Sequence, residues 1–270
     1  MADRIADWIA DWPLAGTPAS VPALVCVPPA GAGCQQFRSW QERLGARAAV
    51  YGVQLPGREN RWHDAMPATF DEAVDAATAA LTARLAPGRP LVVYGHSFGG
   101  LLAYELARRT APHALVVSGA RAPGHAGRRT DETAGRDTLD RLFDADDPDL
   151  DPVQAAGLRD PWMRELMRDM VRKDAVLSRT HVHRPDPPLR IPVHVWGADA
   201  DTAVAPRELD GWAGTTEGPL HRRRVPGGHH TILRRPEVLL DHLADLLAEA
   251  AGAAPASAAR PDAVLPGGGA

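Results

Sequence analysis

The chain has 270 residues, of which 44% are hydrophobic and 24% charged, and its formal net charge is −4. This composition is typical of an ordinary soluble protein, and the length is ample for a buried core in one large α/β domain or two smaller ones. The negative net charge disfavours nucleic acid and anionic membranes as general partners.

Two features of the sequence bear on the compartment. Cys26 and Cys34 are the only cysteines, so no disulfide framework holds the fold, and their spacing does not indicate a metal site. No stretch approaches the roughly 18 apolar residues that span a bilayer, and the acidic N-terminus lacks the apolar core of a signal peptide. We therefore expect a cytoplasmic protein.

The first predicted element is a short N-terminal helix. Ile5, Trp8, Ile9 and Trp12 lie at i, i+3, i+4 and i+7, which is the spacing of one apolar helical face. Pro13 ends this pattern, because proline lacks the amide hydrogen that a helix interior requires. We expect the helix to pack against the body of the protein; docking to a larger assembly is the alternative.

Short apolar runs then alternate with helical patterns through most of the chain. The predicted strands are residues 22–27, 48–53, 91–94, 114–118, 191–196 and 220–225, and the predicted helices are 35–44, 70–85, 101–110, 206–212 and 237–250. Strands that are apolar throughout and separated by helices indicate a mostly parallel sheet buried on both faces. The predicted class is α/β, as a single domain over residues 1–250.

The alternation breaks between residues 121 and 189. This insertion contains an acidic run at 144–151 and an apolar helical pattern from Trp162 to Leu177. A long insertion after the central helix is where a helical lid over an active site lies, so we predict a lid here. The acidic run is expected to be a solvated loop rather than a metal site. Residues 251–270, rich in Ala, Pro and Gly, are predicted to be disordered.

The central motif is Gly95-His96-Ser97-Phe98-Gly99, between an apolar strand and a helical pattern. A strand, a sharp turn and a helix in this order form a nucleophile elbow, which lifts the serine hydroxyl clear of the sheet. The glycines fit the turn because a Cβ at either position is expected to clash with neighbouring backbone. The sequence predicts Ser97 as a nucleophile.

A serine nucleophile needs a base and a group that orients the base. In an α/β-hydrolase the acid and then the histidine follow the serine along the chain. Asp201 and His229 follow predicted strands in that order, so we assign His229 as general base and then acid, and Asp201 as its orienting carboxylate. Asp199 and His230 remain the respective alternatives.

Two further expectations concern the surroundings of Ser97. His96 is predicted to be a packed structural residue, because the elbow points its side chain away from the serine hydroxyl. The oxyanion needs donors placed in advance, and the N–H of Phe98, directly after the serine, is the standard first one. The small-residue turn at 28–33 follows the first strand, and Ala30 is its best-placed second donor.

Several motifs together carry a more specific resemblance. They are Pro29-Ala-Gly31, Gln54-Leu-Pro-Gly-Arg-Glu59, Gly95-His-Ser-Phe-Gly-Gly100, Ser118-Gly-Ala-Arg-Ala-Pro123, Arg172-Lys-Asp174 and Pro226-Gly-Gly-His229. In this order they resemble the type II thioesterases, the discrete editing enzymes of polyketide and nonribosomal peptide synthesis. The resemblance implies an α/β-hydrolase fold, a triad of Ser97, Asp201 and His229, and oxyanion donors at Ala30 and Phe98.

The sequence departs from the family pattern in three ways. Phe98 stands where methionine is frequent, and His181 and His183 replace a common Tyr-x-Tyr pair near the end of the lid. The acid loop reads Gly-Ala-Asp-Ala-Asp where adjacent acids are more usual, so Asp199 stays an alternative to Asp201.

The resemblance implies hydrolysis of stalled or wrongly primed acyl groups from the phosphopantetheine arm of acyl or peptidyl carrier proteins. The arm belongs to the partner, so no cofactor or metal of its own is expected, nor are nucleic acid or membrane partners, and we expect a monomer. A general carboxylesterase, a chain-releasing thioesterase and a non-catalytic carrier-binding protein are the alternatives. Basic clusters at 222–224 and 234–235 are candidate carrier-docking sites or simply a solvated face.

Overall fold

A computed structural model describes residues 8–125 and 152–252, which form a seven-stranded sheet flanked by helices. The strands are β1 (Ile9–Asp11), β2 (Ala23–Val27), β3 (Ala49–Val53), β4 (Leu91–His96), β5 (Ala114–Ser118), β6 (Val193–Ala198) and β7 (Leu220–Val225). The α-helices are α1 (Arg38–Leu44), α2 (Phe70–Arg84), α3 (Phe98–Thr110), α4 (Pro152–Arg159), α5 (Pro161–Arg179), α6 (Thr231–Arg234) and α7 (Glu237–Gly252).

The sheet has the strand order β1-β3-β2-β4-β5-β6-β7. All neighbouring strands from β3 to β7 are parallel, whereas β1 pairs antiparallel with β3. The carboxyl ends of six strands therefore meet at one edge, where open α/β sheets bind their ligands. The predicted mostly parallel sheet with flanking helices is confirmed.

Both faces of the sheet are buried, which explains why its strands are apolar throughout. Val25 and Val93 point to a core that contains Phe70 of α2 and Leu102 of α3. The alternate residues of the same strands, such as Leu24 and Tyr94, point to the opposite core with Trp40 and Leu243. The elbow at the end of β4 is thus anchored in the middle of the sheet.

The predicted N-terminal helix is wrong over its described part. Ile9–Asp11 is a strand, in which Ile9 faces Val53 and Asp11 faces Tyr51. The outer edge of β3 offers unpaired backbone N–H and C=O groups, and an extended segment satisfies them. Ile9 is still buried, so its apolar character reflects sheet packing instead of a helical face. Residues 1–7 lie outside the described range.

Two further helices predicted from the sequence are present in the structure. The element predicted at 206–212 is a 3-10 helix, Pro206–Gly214. The apolar pattern from Trp162 to Leu177 is confirmed as α5, and α4 and α5 lie between β5 and β6. The acidic run at 144–151, most of the preceding insertion from residue 126 on, and the tail from residue 253 on lie outside the described residues. None of the described helices is long and apolar enough to cross a membrane.

Gly99→Ala is expected to lower the free energy of unfolding by about 3 kcal/mol, because overpacking a fixed backbone contact is costly. A Cβ at Gly99 would lie inside van der Waals contact of the carbonyl oxygens of Val27 and Pro28. Gly157 in α4 is the matched control, since a Cβ there meets nothing within 4 Å. Gly157→Ala should leave stability unchanged or raise it by up to about 1 kcal/mol. Urea unfolding of both variants checks this, and equal effects would contradict the close approach.

Candidate active site

Ser97 occupies a strained turn between β4 and α3. Its backbone has φ 54° and ψ −120°, a region that non-glycine residues rarely adopt. The Ser97 N–H donates to the Ser118 carbonyl at 2.8 Å, and the Gly100 N–H donates to the Ser97 carbonyl at 2.9 Å. Surrounding structure of this kind is what maintains a strained backbone at a functional site. The half-buried side chain thus projects at the carboxyl edge of the sheet.

His229 and Asp201 form a buried hydrogen-bonded pair at the same edge. His229 Nδ1 lies 2.8 Å from Asp201 Oδ2, and the second oxygen, Oδ1, accepts the N–H groups of Ala203 and Val204 at 2.8 Å each. An ionised carboxylate only accepts hydrogen bonds, so Nδ1 carries the proton and Nε2 of the neutral ring is the acceptor. Nε2 is buried and has no hydrogen-bond partner among the described residues.

The environment of Asp201 favours its charged form. Burial raises the pKa of this carboxyl, but the hydrogen bond and charge of His229 and the N–H groups of Val204 and Ala203 lower it further, so that the net pKa lies below its ordinary value. Asp201 is therefore ionised at neutral pH, where it holds the imidazole in one orientation and stabilises its protonated form.

The His229 ring lies against the elbow itself. Its centroid is 4.8 Å from that of His96, the residue before Ser97. A Cβ built on Gly119, the residue after Ser118, would be 3.1 Å from His229 Cε1. The carbonyl of Ser118 accepts the hydrogen bond of the Ser97 N–H. Both contacts therefore place the imidazole beside the nucleophile turn.

The two alternative residues are placed differently. Asp199 is exposed and pairs with Arg224 at 2.7 Å, whereas Asp201 is the carboxylate that contacts His229. The His230 ring packs on His229 and His96, with centroids 4.9 and 5.6 Å apart, directly before α6. The structure thus pairs His229 with Asp201 beside the Ser97 turn, without a hydrogen bond from the Ser97 hydroxyl to His229 Nε2, and the chemical roles of the three residues stay predictions.

His96 is fully buried, as a packed structural residue should be, but it also contacts His229. Its Nδ1 lies 2.8 Å from Ser118 Oγ, which in turn lies 2.8 Å from the Tyr94 hydroxyl. Burial lowers the pKa of His96 well below its usual value, and the neighbouring His229 and His230 rings lower it further. A neutral ring therefore packs against His229.

The two predicted oxyanion donors come from adjacent segments. Phe98 begins α3, and the first N–H groups of a helix have no intrahelical partner and carry the positive end of its dipole. Half-buried Ala30 lies in the turn after β2. Gly99 sits tightly against the carbonyl groups of Val27 and Pro28, so this turn and the start of α3 are side by side. The arrangement suits stabilisation of an oxyanion next to Ser97.

Two charged pairs next to this site involve residues to which the sequence analysis assigned no role. Arg58 and Asp174 form a buried ion pair, with Nη2 2.6 Å from Oδ1 and Nη1 2.8 Å from Oδ2. His181, which departs from the family pattern, lies 3.0 Å from Glu105 in a second buried pair. The sequence feature that could have indicated these pairs is the presence of charged residues in the family motifs outside the triad.

Comparison with known proteins agrees with this fold. The model of the thioesterase domain family matches residues 22–247. The thioesterase PikA5 of Streptomyces venezuelae is 30% identical over 250 residues, which cover 90% of this chain and 87% of the relative. The structure of BorB, a type II thioesterase from the borrelidin biosynthetic cluster, has a TM-score of 0.73 at 29% identity and covers 89% of this chain and 97% of its own. RedJ, a thioesterase of the prodiginine pathway of Streptomyces coelicolor, has a TM-score of 0.71 at 33% identity, with coverages of 88% and 90%.

The fold is that of the α/β-hydrolases, to which these structural neighbours belong. The chain belongs to the thioesterase family. It is thus a hydrolase that acts on thioesters, and its homologues include type II thioesterases of polyketide and nonribosomal peptide pathways.

Proposed function

We propose that this thioesterase removes aberrant or stalled acyl groups from the phosphopantetheine arm of acyl or peptidyl carrier proteins. The observation that carries the proposal is the buried His229–Asp201 pair beside the strained Ser97 turn. The editing role and the carrier substrate are supported by the similarity to type II thioesterases such as BorB.

In the first step, His229 Nε2 takes the Ser97 hydroxyl proton as the oxygen attacks the thioester carbonyl carbon. The carbonyl oxygen becomes an oxyanion that the N–H groups of Ala30 and Phe98 stabilise. The intermediate collapses to an acyl-serine, and the C–S bond breaks. The imidazolium returns its proton to the departing sulfur, so the arm leaves as a thiol.

In the second step, water attacks the acyl-serine. His229 takes one proton from the water, a second oxyanion forms at the same donors, and the C–O bond to Ser97 breaks. The proton on His229 passes to the serine oxygen, which restores the enzyme and releases the free acid. Asp201 keeps the imidazole oriented in both steps and stays ionised.

Helices α4 and α5 are proposed to belong to the lid under which the arm enters. Trp162, near the start of α5, has 70% of its side chain exposed, whereas Val171 and Leu177 of the same helix are buried. The helix thus has a buried apolar face and also carries exposed apolar residues, Trp162 and Val176, as expected of an element beside an acyl site.

The arginine cluster at 222–224 is a poor candidate for carrier docking. Arg222 and Arg224 pair with Asp210 and Asp199, and Arg223 lies 5.4 Å from the ring centroid of Trp196. These residues lie on β7, the outer strand of the sheet, where charged side chains prevent pairing with another chain. A solvated face is the better interpretation.

Turnover of acyl-carrier proteins of different chain lengths tests the proposal, with matched acyl p-nitrophenyl esters in parallel. We expect kcat/KM for carrier thioesters at least about tenfold above that for the esters, because carrier contacts add binding energy that small substrates lack. Equal values would instead support a general carboxylesterase. Release of a cyclised product would support a chain-releasing enzyme. If neither substrate is turned over, the result would support a non-catalytic binding protein.

A further inference from the structure

The buried ion pair between Arg58 and Asp174 lies next to the proposed oxyanion turn. Asp174 has no exposed surface and Arg58 is only 2% exposed. Arg58 lies in the loop after β3, whereas Asp174 lies on α5. The guanidinium donates a hydrogen bond to each of the two carboxylate oxygens. Burying two charges is costly unless both are fully hydrogen-bonded. The partners of this pair therefore indicate what the pair does.

Asp174 bonds directly to the turn that carries Ala30. Its Oδ2 accepts the N–H of Gly31 at 2.7 Å. Gly31 has φ +76°, and a Cβ at this position would lie 2.5 Å from Val171 Cγ2 of α5. Because Gly31 has no side chain, α5 packs directly against the turn at this residue. Asp174 fixes the peptide group that joins Ala30 to Gly31, which directly follows the peptide group that carries the Ala30 N–H.

The loop that contains Arg58 holds the same turn from its other end. The hydrogen bonds that join the two segments include the Cys34 N–H to Gln54 Oε1 at 3.4 Å, Arg58 Nη1 to the Ala32 carbonyl at 3.2 Å, and the Gln35 N–H to Glu59 Oε1 at 3.1 Å. Together with the bond from Asp174, these bonds fix the turn after β2 at residues 31, 32, 34 and 35.

The charge of the pair matters as much as its geometry. An uncompensated carboxylate beside the Ala30 turn would oppose the negative charge that develops on the oxyanion, strongly so in a buried site. Arg58 cancels that charge and leaves Asp174 as a neutralised hydrogen-bond acceptor. A bidentate guanidinium also fixes the carboxylate in one orientation.

We propose that Arg58 and Asp174 are positioning residues that hold the Ala30–Gly31 peptide so that the Ala30 N–H faces the carbonyl attacked by Ser97. The pair joins α5 to the oxyanion turn, so correct seating of that helix and a formed oxyanion site depend on each other. The inference rests on the proposed catalytic roles of Ser97 and Ala30.

The test compares kcat per active site, with active sites counted by exhaustive fluorophosphonate titration. Asp174→Ala removes the acceptor of the Gly31 N–H and should lower kcat per site by about 100-fold, the effect of losing one oxyanion donor, with KM within about threefold because ground-state binding is untouched. Asp174→Asn keeps an acceptor oxygen and should lose about tenfold, a partial rescue.

A double variant separates positioning from stability. Apolar residues often replace a buried ion pair without loss of stability, so Arg58→Met combined with Asp174→Leu should unfold near the wild-type midpoint but still lose about 100-fold in kcat per site. Glu165→Gln is the matched control on α5, because it breaks the exposed Arg172–Glu165 pair and should leave kcat unchanged.

Wild-type kcat per site in folded Asp174→Ala, or in the folded double variant, would overturn the inference. Acyl-carrier proteins and acyl p-nitrophenyl esters are both used as substrates. If the wild type hydrolyses p-nitrophenyl esters but not carrier thioesters, the proposed substrate is wrong, and the ester data still decide the role of the pair. If Ser97→Ala retains turnover of both, the proposed mechanism is wrong, and with it the premise of this inference.

Discussion

Ser97→Ala is expected to lower kcat for acyl-pantetheine hydrolysis by about 10⁴-fold or more, as loss of a serine nucleophile does elsewhere. The change removes the only atom that bonds to the acyl group in the proposed mechanism. It leaves the backbone hydrogen bonds of Ser97 to Ser118 and Gly100 in place. The unfolding midpoint should therefore change little, because the loss is chemical and does not arise from misfolding.

Ser39→Ala is the matched control. Ser39 is an exposed residue of α1 whose hydroxyl donates a local hydrogen bond to the Gln36 carbonyl at 3.4 Å. Steady-state turnover of both variants under identical conditions gives the comparison. If Ser97→Ala kept a tenth or more of wild-type kcat, another group would have to be the nucleophile.

Asp201→Asn is expected to lower kcat by about 10⁴-fold. The amide can donate to Nδ1, which then becomes the acceptor, and the proton moves to Nε2, where the base is needed. Asp199→Asn is the paired experiment, because it removes a carboxylate two residues away that bonds Arg224 instead. We expect Asp199→Asn to retain wild-type kcat. If kcat fell strongly in Asp199→Asn and not in Asp201→Asn, Asp199 would be the residue that orients His229.

Asp201 also has a predicted effect on stability. Its pKa in the folded protein lies below the ordinary value, so its contribution is present above the ordinary pKa and is lost as pH falls through the lowered one. Asp201→Asn removes this contribution. Unfolding free energies measured from pH 7 down to pH 3 should therefore depend less steeply on pH in the variant than in the wild type.

The sheet could be predicted from sequence because its strands are buried on both faces. Runs such as Leu91–Tyr94 are apolar at every position, and little else in a soluble chain has that pattern. The N-terminal strand could not be predicted, because what makes Ile9–Asp11 extended is its pairing with the outer edge of β3, whose residues are 40 to 44 positions further along the chain. Its spacing matched a helix by coincidence.

The residues of the candidate site likewise fall into those that could be predicted from sequence and those that could not. Ser97 and His229 lie in turns with a local signature, so sequence alone placed them at the strand ends where the structure has them. The choice between Asp199 and Asp201 depends on which carboxylate Arg224 binds and which one the N–H groups of Ala203 and Val204 hold. The Arg58–Asp174 contact joins residues 116 positions apart, and each motif by itself gives no sign of the other.

The central claim is that Ser97 takes up the acyl group with His229 as its base, and trapping the intermediate tests it most directly. Wild-type protein mixed with an acyl-pantetheine, quenched within one turnover and digested, is examined by mass spectrometry. We predict an adduct of the acyl mass on the peptide that contains Ser97, formed during turnover and absent in His229→Ala. Steady turnover with no adduct, or with the adduct on another residue, would contradict it.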